Sequence, residues 1–199
     1  MISTRPIRSG NSSEAPVITP AEIGALARRI DRPIVLIGLM GVGKSTVGRK
    51  LADLLDTGFI DADEAIETAA QRSVSEIFEA HGEAYFRDGE RRVIARLMAE
   101  GHGVIATGGG AFVDAETRAM ILDHGVTVWI RATVETLVKR TGRRNSRPLL
   151  RDGDPQAILN RLADERDPLY RQAPIHVNSE EGPHHATALR ILEGIERWL

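Results

Sequence analysis

The sequence predicts an α/β protein built on a five-stranded parallel sheet with helices on both faces. Short apolar runs alternate along the 199 residues with segments of helical periodicity, and a glycine-rich turn follows the first apolar run. Strands separated by helices pair in parallel, because each crossover helix lies on a face of the sheet. The length fits one domain, which we expect over residues 17–199. Residues 1–16 are rich in Ser, Arg, Pro and Gly and are predicted to be disordered.

Uninterrupted apolar runs mark the predicted strands, as is typical of strands that are buried on both faces. In chain order they span residues 34–37, 59–60, 104–106, 126–130 and 175–177. Ligands of parallel sheets bind beyond the carboxyl ends of the strands. The segments that begin at Gly38, Asp61 and Gly108 each follow a strand. We therefore expect these three segments to converge on one site.

Capping patterns mark the predicted helices. Thr19 followed by Pro20 is typical of a helix start. A capping box at 73–76 opens a helix that we expect to break near Gly82 and to resume as far as Met98. Further helices are predicted directly after the glycine-rich turn, over about 114–124, 133–140 and 155–167, and at the end of the chain.

Two further segments lie outside this regular pattern. Residues 142–154 contain Gly, Arg, Pro and Asp without periodicity, and we expect them to form a mobile lid. His184-His185 is interpreted as the start of the last helix rather than as a metal site.

Composition argues against several classes of protein. The net charge is −2 and the pI is about 6.3, so no overall basic field favours nucleic acid. The chain has no cysteine, and therefore neither a disulfide framework nor a thiolate nucleophile. It contains no apolar run long enough to span a membrane. We expect a cytoplasmic protein with no obligate protein partner.

The segment from Gly38 to Thr46, Gly-Leu-Met-Gly-Val-Gly-Lys-Ser-Thr, matches the phosphate-binding loop pattern between a strand and a helix. Its glycines let the backbone turn N–H groups inward, and the helix N-terminus favours negative charge. Lys44 is predicted to reach the β- and γ-phosphates as a catalytic group, and the Ser45 hydroxyl to bind Mg²⁺. The predicted nucleotide-binding residues are Gly41, Val42, Gly43, Lys44, Ser45 and Thr46.

Two classes of phosphate-loop protein compete at this point: a nucleotide-gated switch and a phosphoryl-transfer enzyme. The chain has no Asn-Lys-x-Asp and no Asp-x-x-Gly after a strand, which a GTPase switch needs. Asp61 and Asp63 favour the enzyme. On an extended segment their side chains point the same way, so that one can organise Mg²⁺ and the other can accept a proton from a hydroxyl. A helix-capping role for the pair remains equally open.

Glycines and arginines at other predicted loops add to the enzyme hypothesis. Gly108, Gly109 and Gly110 permit close backbone approach to a ligand, with a flexible turn as the alternative. The predicted lid and the helix before it are rich in arginine, which suits a segment that closes over ATP. A solvated loop is the alternative for most of these arginines, which are Arg140, Arg143, Arg144, Arg147 and Arg151.

Taken together, these segments resemble the shikimate kinase family from about Pro33 to the end of the chain. Only the phosphate loop is specific by itself, but the order and spacing of all the segments are specific together. Besides the loop, the matching strings are Phe59-Ile60-Asp61-Ala62-Asp63, Phe86-Arg87-x-x-Glu90, Gly108-Gly109-Gly110, Arg147-Pro148-Leu149-Leu150 and Arg166-x-Pro168-Leu169-Tyr170-Arg171.

The resemblance implies a fold of the nucleoside-monophosphate-kinase type and transfer of the ATP γ-phosphoryl group to the 3-hydroxyl of shikimate, in aromatic amino-acid biosynthesis. It implies Asp63 as base and hydroxyl ligand, and an acceptor site completed by Arg87, the Gly108–Gly110 segment and Arg171. It also implies a catalytic lid residue, Arg147, on the phosphates, and Arg140 near the adenine. Asp61 and Ser45 would organise Mg²⁺. A gluconate-type or nucleotide kinase, and a regulatory protein without turnover, remain the alternatives.

Overall fold

A computed structural model describes residues 18–101, 103–142, 153–179 and 182–199. The predicted disordered segment 1–16, Arg147 and most of the predicted lid lie outside these residues. The helices are α1 (Pro20–Ala27), α2 (Lys44–Leu55), α3 (Ala62–Ala70), α4 (Val74–Ala99), α5 (Ala115–His124), α6 (Val134–Thr141), α7 (Pro155–Tyr170) and α8 (His184–Trp198). The strands are β1 (Ile34–Ile37), β2 (Phe59–Asp61), β3 (Val104–Ala106), β4 (Val126–Arg131) and β5 (Ile175–Asn178), and a 3₁₀ turn spans Ala111–Val113.

The five strands form one parallel sheet in the order β2-β3-β1-β4-β5, which confirms the predicted fold class. Strand β1 lies in the middle, with Leu36 paired to Ala106 on one side and to Val128 on the other. The glycine-rich turn therefore leaves the centre of the sheet, and the ends of β2 and β3 lie beside it. This topology brings the three segments that follow β1, β2 and β3 to one edge.

The core explains why the central strand is apolar throughout. All four residues of β1 are buried, because helices cover both faces of the sheet. Helix α2 packs against α8, and Leu51 and Ile191 are fully buried there. Gly48 of α2 packs so closely against the Phe59 ring that a Cβ would overlap it, which holds β2 against the start of the phosphate-loop helix.

Two helices differ from regular geometry in ways that affect the site. Gly82 interrupts α4 with φ 78° and ψ 176°, which confirms the predicted break. Helix α7 continues beyond the predicted end at Asp167, through Pro168 to Tyr170. The proline removes only one N–H donor near the end of the helix, and the Arg171 N–H still donates to the Asp167 carbonyl at 2.9 Å.

Candidate active site

The phosphate loop has the backbone geometry that its glycines predict. Gly38, Gly41 and Gly43 adopt φ values of 139°, 87° and 96°, which disfavour residues with a Cβ. Helix α2 begins at Lys44, directly after Gly43, so its unpaired N–H groups point into the loop. The Lys44 ammonium donates to the carbonyls of Gly38 at 2.7 Å and Leu39 at 3.2 Å. The Lys44 ammonium is thus held across the opening of the phosphate loop, whose backbone N–H groups point inward.

Asp61 links this loop to the neighbouring strand. Its Oδ2 accepts a hydrogen bond from the Ser45 hydroxyl at 2.5 Å, and its Oδ1 accepts one from the Asp63 N–H at 3.1 Å. The second bond caps α3, so the capping interpretation is correct for Asp61. The first bond places the Asp61 carboxylate beside the Ser45 hydroxyl of the phosphate loop. The same side chain therefore caps α3 and contacts the loop.

A hydroxyl and a carboxylate are hard oxygen ligands, and they suit Mg²⁺ that is bound mainly by phosphates and water. Ser45 and Asp61 therefore fit the predicted metal position. No cluster of three or more His, Asp or Glu side chains forms a metal site within the described ranges. An ion that takes few protein ligands is consistent with that observation.

Asp63 faces Gly108 rather than solvent. A Cβ on Gly108 would lie 2.7 Å from Asp63 Oδ1 and 2.8 Å from Glu90 Oε1, so only glycine leaves room between these carboxylates. Burial, and then the negative charge of Asp61, raise the pKa of Asp63 above its ordinary value. Lys44 and Arg87 act in the opposite direction. A carboxylate with a raised pKa beside a phosphate loop is suited to accept a proton.

Arg87 is held by two carboxylates of its own helix. Its Nη1 donates to Glu90 at 2.6 Å, and its Nη2 lies 3.2 Å from Glu83. Glu90 is only 2% exposed, and burial raises its pKa despite the nearby guanidinium. Among the described residues no group donates to Glu90 Oε1. A Cβ on Gly110 would overlap the Arg87 guanidinium, so the glycine segment allows a close approach and is not merely a flexible turn.

Arg166 and Tyr170 meet at the middle glycine of this segment. Arg166 Nη1 donates to the Gly109 carbonyl at 2.8 Å, and the Tyr170 hydroxyl donates to the same oxygen. Tyr170 is fully buried, which raises its pKa to about 12 and keeps the hydroxyl protonated as a donor. Neither residue is among the site residues predicted from the sequence. Their spacing of four along a helix was the available signal, because such residues share one face.

Arg171, predicted to bind the acceptor, lies elsewhere. It caps the C-terminus of α7 and its side chain is exposed. Within the described part of the chain, the arginines brought to the glycine segment are Arg87 and Arg166.

Arg140, which the resemblance places near the adenine, contacts the phosphate loop from α6. Its Nη1 donates to the Val42 carbonyl at 3.3 Å and to the Ser179 hydroxyl at 3.0 Å. It therefore connects α6, the phosphate loop and the end of β5.

A phosphate cradle whose open end faces a partly buried aspartate and two arginines defines a P-loop kinase with a small, anionic acceptor. Comparison with known proteins agrees. The family model described as shikimate kinase matches residues 40–196. The chain belongs to the shikimate kinase family, as its resemblance indicated.

Individual relatives support the same assignment. A shikimate kinase of Novosphingobium aromaticivorans is 56% identical over 190 residues, covering 94% of this chain and 98% of the relative. One of Caulobacter vibrioides is 53% identical and covers 83% of each chain. The structure of Acinetobacter baumannii shikimate kinase in complex with shikimate has a TM-score of 0.80 and 39% identity, over 83% of this chain and 93% of that one. A gluconokinase of Sinorhizobium meliloti, at 17% identity and a TM-score of 0.58, shares the fold alone.

Proposed function

We propose that this chain transfers the γ-phosphoryl group of ATP to the 3-hydroxyl of shikimate. The observation that carries the proposal is the convergence of Asp63, Arg87 and Arg166 on one glycine segment beside the phosphate loop. Shikimate is a carboxylate that bears neighbouring hydroxyls, so its site needs planar cations and a hydroxyl acceptor. The Acinetobacter baumannii relative is known in complex with shikimate, and the chain shares 39% of its sequence.

Two arginines supply the cations in this proposal. Guanidinium groups bind carboxylates through two parallel hydrogen bonds, and Arg87 and Arg166 approach the glycine segment from α4 and α7. Glu90 and Glu83 fix the Arg87 guanidinium before the acceptor arrives. Arg166 takes the role that the sequence analysis expected of Arg171, because Arg166 is the residue that reaches Gly109.

The proposed chemistry is a single displacement. Asp63 accepts the proton of the acceptor hydroxyl while that oxygen forms its bond to the γ-phosphorus, and the bond to the bridging oxygen of ADP breaks. Lys44 and the N–H groups of the loop stabilise the charge on the transferring group. Ser45 and Asp61 would hold Mg²⁺, which would neutralise charge on the phosphates. From the resemblance, we also assign Arg147, which lies outside the described residues, to the same phosphates.

The cellular setting follows from the substrates. No described helix combines the length and the apolar character that crossing a bilayer demands. We propose action in the cytoplasm, where ATP is available, without a required protein, nucleic-acid or membrane partner.

ADP release with shikimate, gluconate and a panel of nucleoside monophosphates tests the proposal. We expect shikimate to be by far the best acceptor. A higher rate with gluconate or a nucleotide would refute the assignment of shikimate as the acceptor. If no acceptor raises ADP release, the assignment of the protein as an enzyme is refuted.

A matched pair of variants then tests the roles of the two aspartates. Asp63→Asn is expected to lower kcat by roughly 10²–10⁴-fold with little change in ATP affinity, because a proton acceptor is lost. Asp61→Asn is expected instead to shift the Mg²⁺ concentration needed for half-maximal rate. Equal and small effects in both variants would show that Asp61 and Asp63 have only a capping role.

A further inference from the structure

Arg87, one of the two arginines assigned to the acceptor carboxylate, is bound on two sides by glutamates of α4. Its Nη1 donates to Glu90 Oε2 at 2.6 Å. Its Nε and Nη2 both donate to one oxygen of Glu83, Oε1, at 3.3 and 3.2 Å. Nε and Nη2 form a planar fork through which a guanidinium binds a carboxylate with two parallel hydrogen bonds. Glu83 therefore occupies a fork that also suits the carboxylate of the acceptor.

The two glutamates hold Arg87 with different strength. The Glu90 side chain is only 2% exposed and its contact with the guanidinium is short, so it is a fixed support. The Glu83 side chain is 69% exposed and its contacts with Arg87 are longer. An ion pair with an exposed partner contributes little, because water competes for the charge. Glu83 can therefore leave the fork at small cost, whereas Glu90 cannot leave Nη1.

The break in α4 places Glu83 for this contact. Gly82 has φ 78° and ψ 176°, and the helix continues directly after it. Glu83 and Arg87 are four residues apart on this second part of the helix, where such side chains face each other. A Cβ on Gly82 would meet open space. Within the part of the chain that the structure describes, Arg87 is the only group that binds the Glu83 carboxylate.

We infer that Glu83 competes with the acceptor: it occupies the Nε–Nη2 fork of Arg87, and the acceptor carboxylate takes its place on binding. The inference deepens the proposed function and rests on it in taking a carboxylate as the group that Arg87 binds. Glu83 acts through Arg87 and is thus a positioning residue. It keeps the guanidinium oriented, and it favours acceptors with an anionic group, because a neutral group does not displace a carboxylate from a cation.

Removing the Glu83 charge should improve binding of the acceptor, which is the opposite of what loss of a structural support does. For Glu83→Gln we expect the KM and the calorimetric Kd of shikimate to fall about 2- to 5-fold, the range of one exposed ion pair. The gain should appear in KM and not in kcat, because Asp63 still accepts the proton. Shikimate methyl ester, which has no charge for the fork, should gain less. The control, Glu79→Gln, removes an exposed carboxylate four residues earlier on α4 and should change neither KM.

Three results would overturn the inference. A higher or unchanged KM for shikimate in Glu83→Gln would show that Glu83 does not compete with the acceptor. An equal gain in Glu79→Gln would show a general effect of charge, and an equal gain with the ester would show that the fork is not involved.

A second variant covers the oxygen that glutamine retains. Glu83→Ala empties the fork completely and should lower the KM for shikimate at least as much as Glu83→Gln, with circular dichroism as the check on α4. A rise in KM in a folded alanine variant would also refute the competition. Failure of the proposed function is distinguishable, because the unmodified protein would then show no shikimate-dependent ADP release.

Discussion

Replacing Arg166 and Arg171 one at a time tests how the acceptor site is built. Arg166 Nη1 lies 2.8 Å from the Gly109 carbonyl oxygen, while the Arg171 side chain is exposed at the end of the same helix. Truncating one partner of a buried charge pair costs about 2–5 kcal/mol. Arg166 is only partly buried, so we expect the lower part of that range, about 2–3 kcal/mol.

That free energy corresponds to a loss of about 30- to 150-fold in kcat/KM for shikimate in Arg166→Ala. Arg171→Ala should stay within about fivefold, as expected for an exposed charge. Arg166→Lys should fall between these values, because it keeps the charge but loses the planar fork. Steady-state ADP release at varied shikimate and saturating ATP gives the three numbers, with the KM for ATP as an internal control.

Shikimate methyl ester makes the assignment to the carboxylate specific. The ester lacks the charge that Arg166 is proposed to bind, so the unmodified enzyme should use it poorly and Arg166→Ala should lower its rate little further. A loss in Arg171→Ala as large as that in Arg166→Ala, or an equal effect of Arg166→Ala on ester and acid, would refute this reasoning.

Two further predictions concern groups around the glycine segment. Tyr170→Phe removes one donor from the Gly109 carbonyl and should lower kcat/KM for shikimate about 5- to 10-fold, which is the value of one hydrogen bond. The control, Tyr85→Phe at an exposed tyrosine, should leave kcat/KM unchanged. Equal effects of the two substitutions would exclude a role for the Tyr170 hydroxyl. The pH profile of kcat tests Asp63, which the proposed mechanism uses in its unprotonated form. The pKa of Asp63 is raised, so the acid limb of the profile, where activity falls with falling pH, should lie at higher pH than for an ordinary aspartate. Glu67→Gln should move this acid limb to lower pH, because the charge of Glu67 is among those that raise the pKa of Asp63. An unmoved or upward-shifted limb would show that another group controls it.

Local patterns were sufficient to predict much of the fold. The strands, the phosphate loop and the break at Gly82 depend on apolar runs, glycine spacing and capping residues, which act over a few positions. The order of the strands was not predicted, because it depends on which crossovers pack together. Of the arginines in the last matching string, Arg171 was predicted for the acceptor site, whereas in the structure it is Arg166 that reaches the Gly109 carbonyl.

The choice between Arg166 and Arg171 depends on helix phase. At 3.6 residues per turn, Arg166 and Tyr170 lie on one face, while Arg171 points about 140° away from Arg166. The helix predicted from the sequence ends at Asp167, before Pro168, so the directions of Tyr170 and Arg171 relative to Arg166 were not predicted. In the structure His184, at the start of α8, also contacts Gly43 of the phosphate loop, and residues so far apart in the chain give no local sequence signal.

Asp61 has a consequence for how the two substrates influence each other. One of its oxygens receives the hydrogen of Ser45, and the other holds the backbone N–H of Asp63. A shift of Ser45 on nucleotide binding would therefore move a side chain that also caps the first turn of α3, which carries Asp63. We therefore expect binding at one end to be coupled to binding at the other, and thermodynamic linkage makes such a coupling reciprocal. Whatever factor ATP imposes on the affinity for shikimate, shikimate imposes on the affinity for ATP, and Asp61→Asn should reduce that factor.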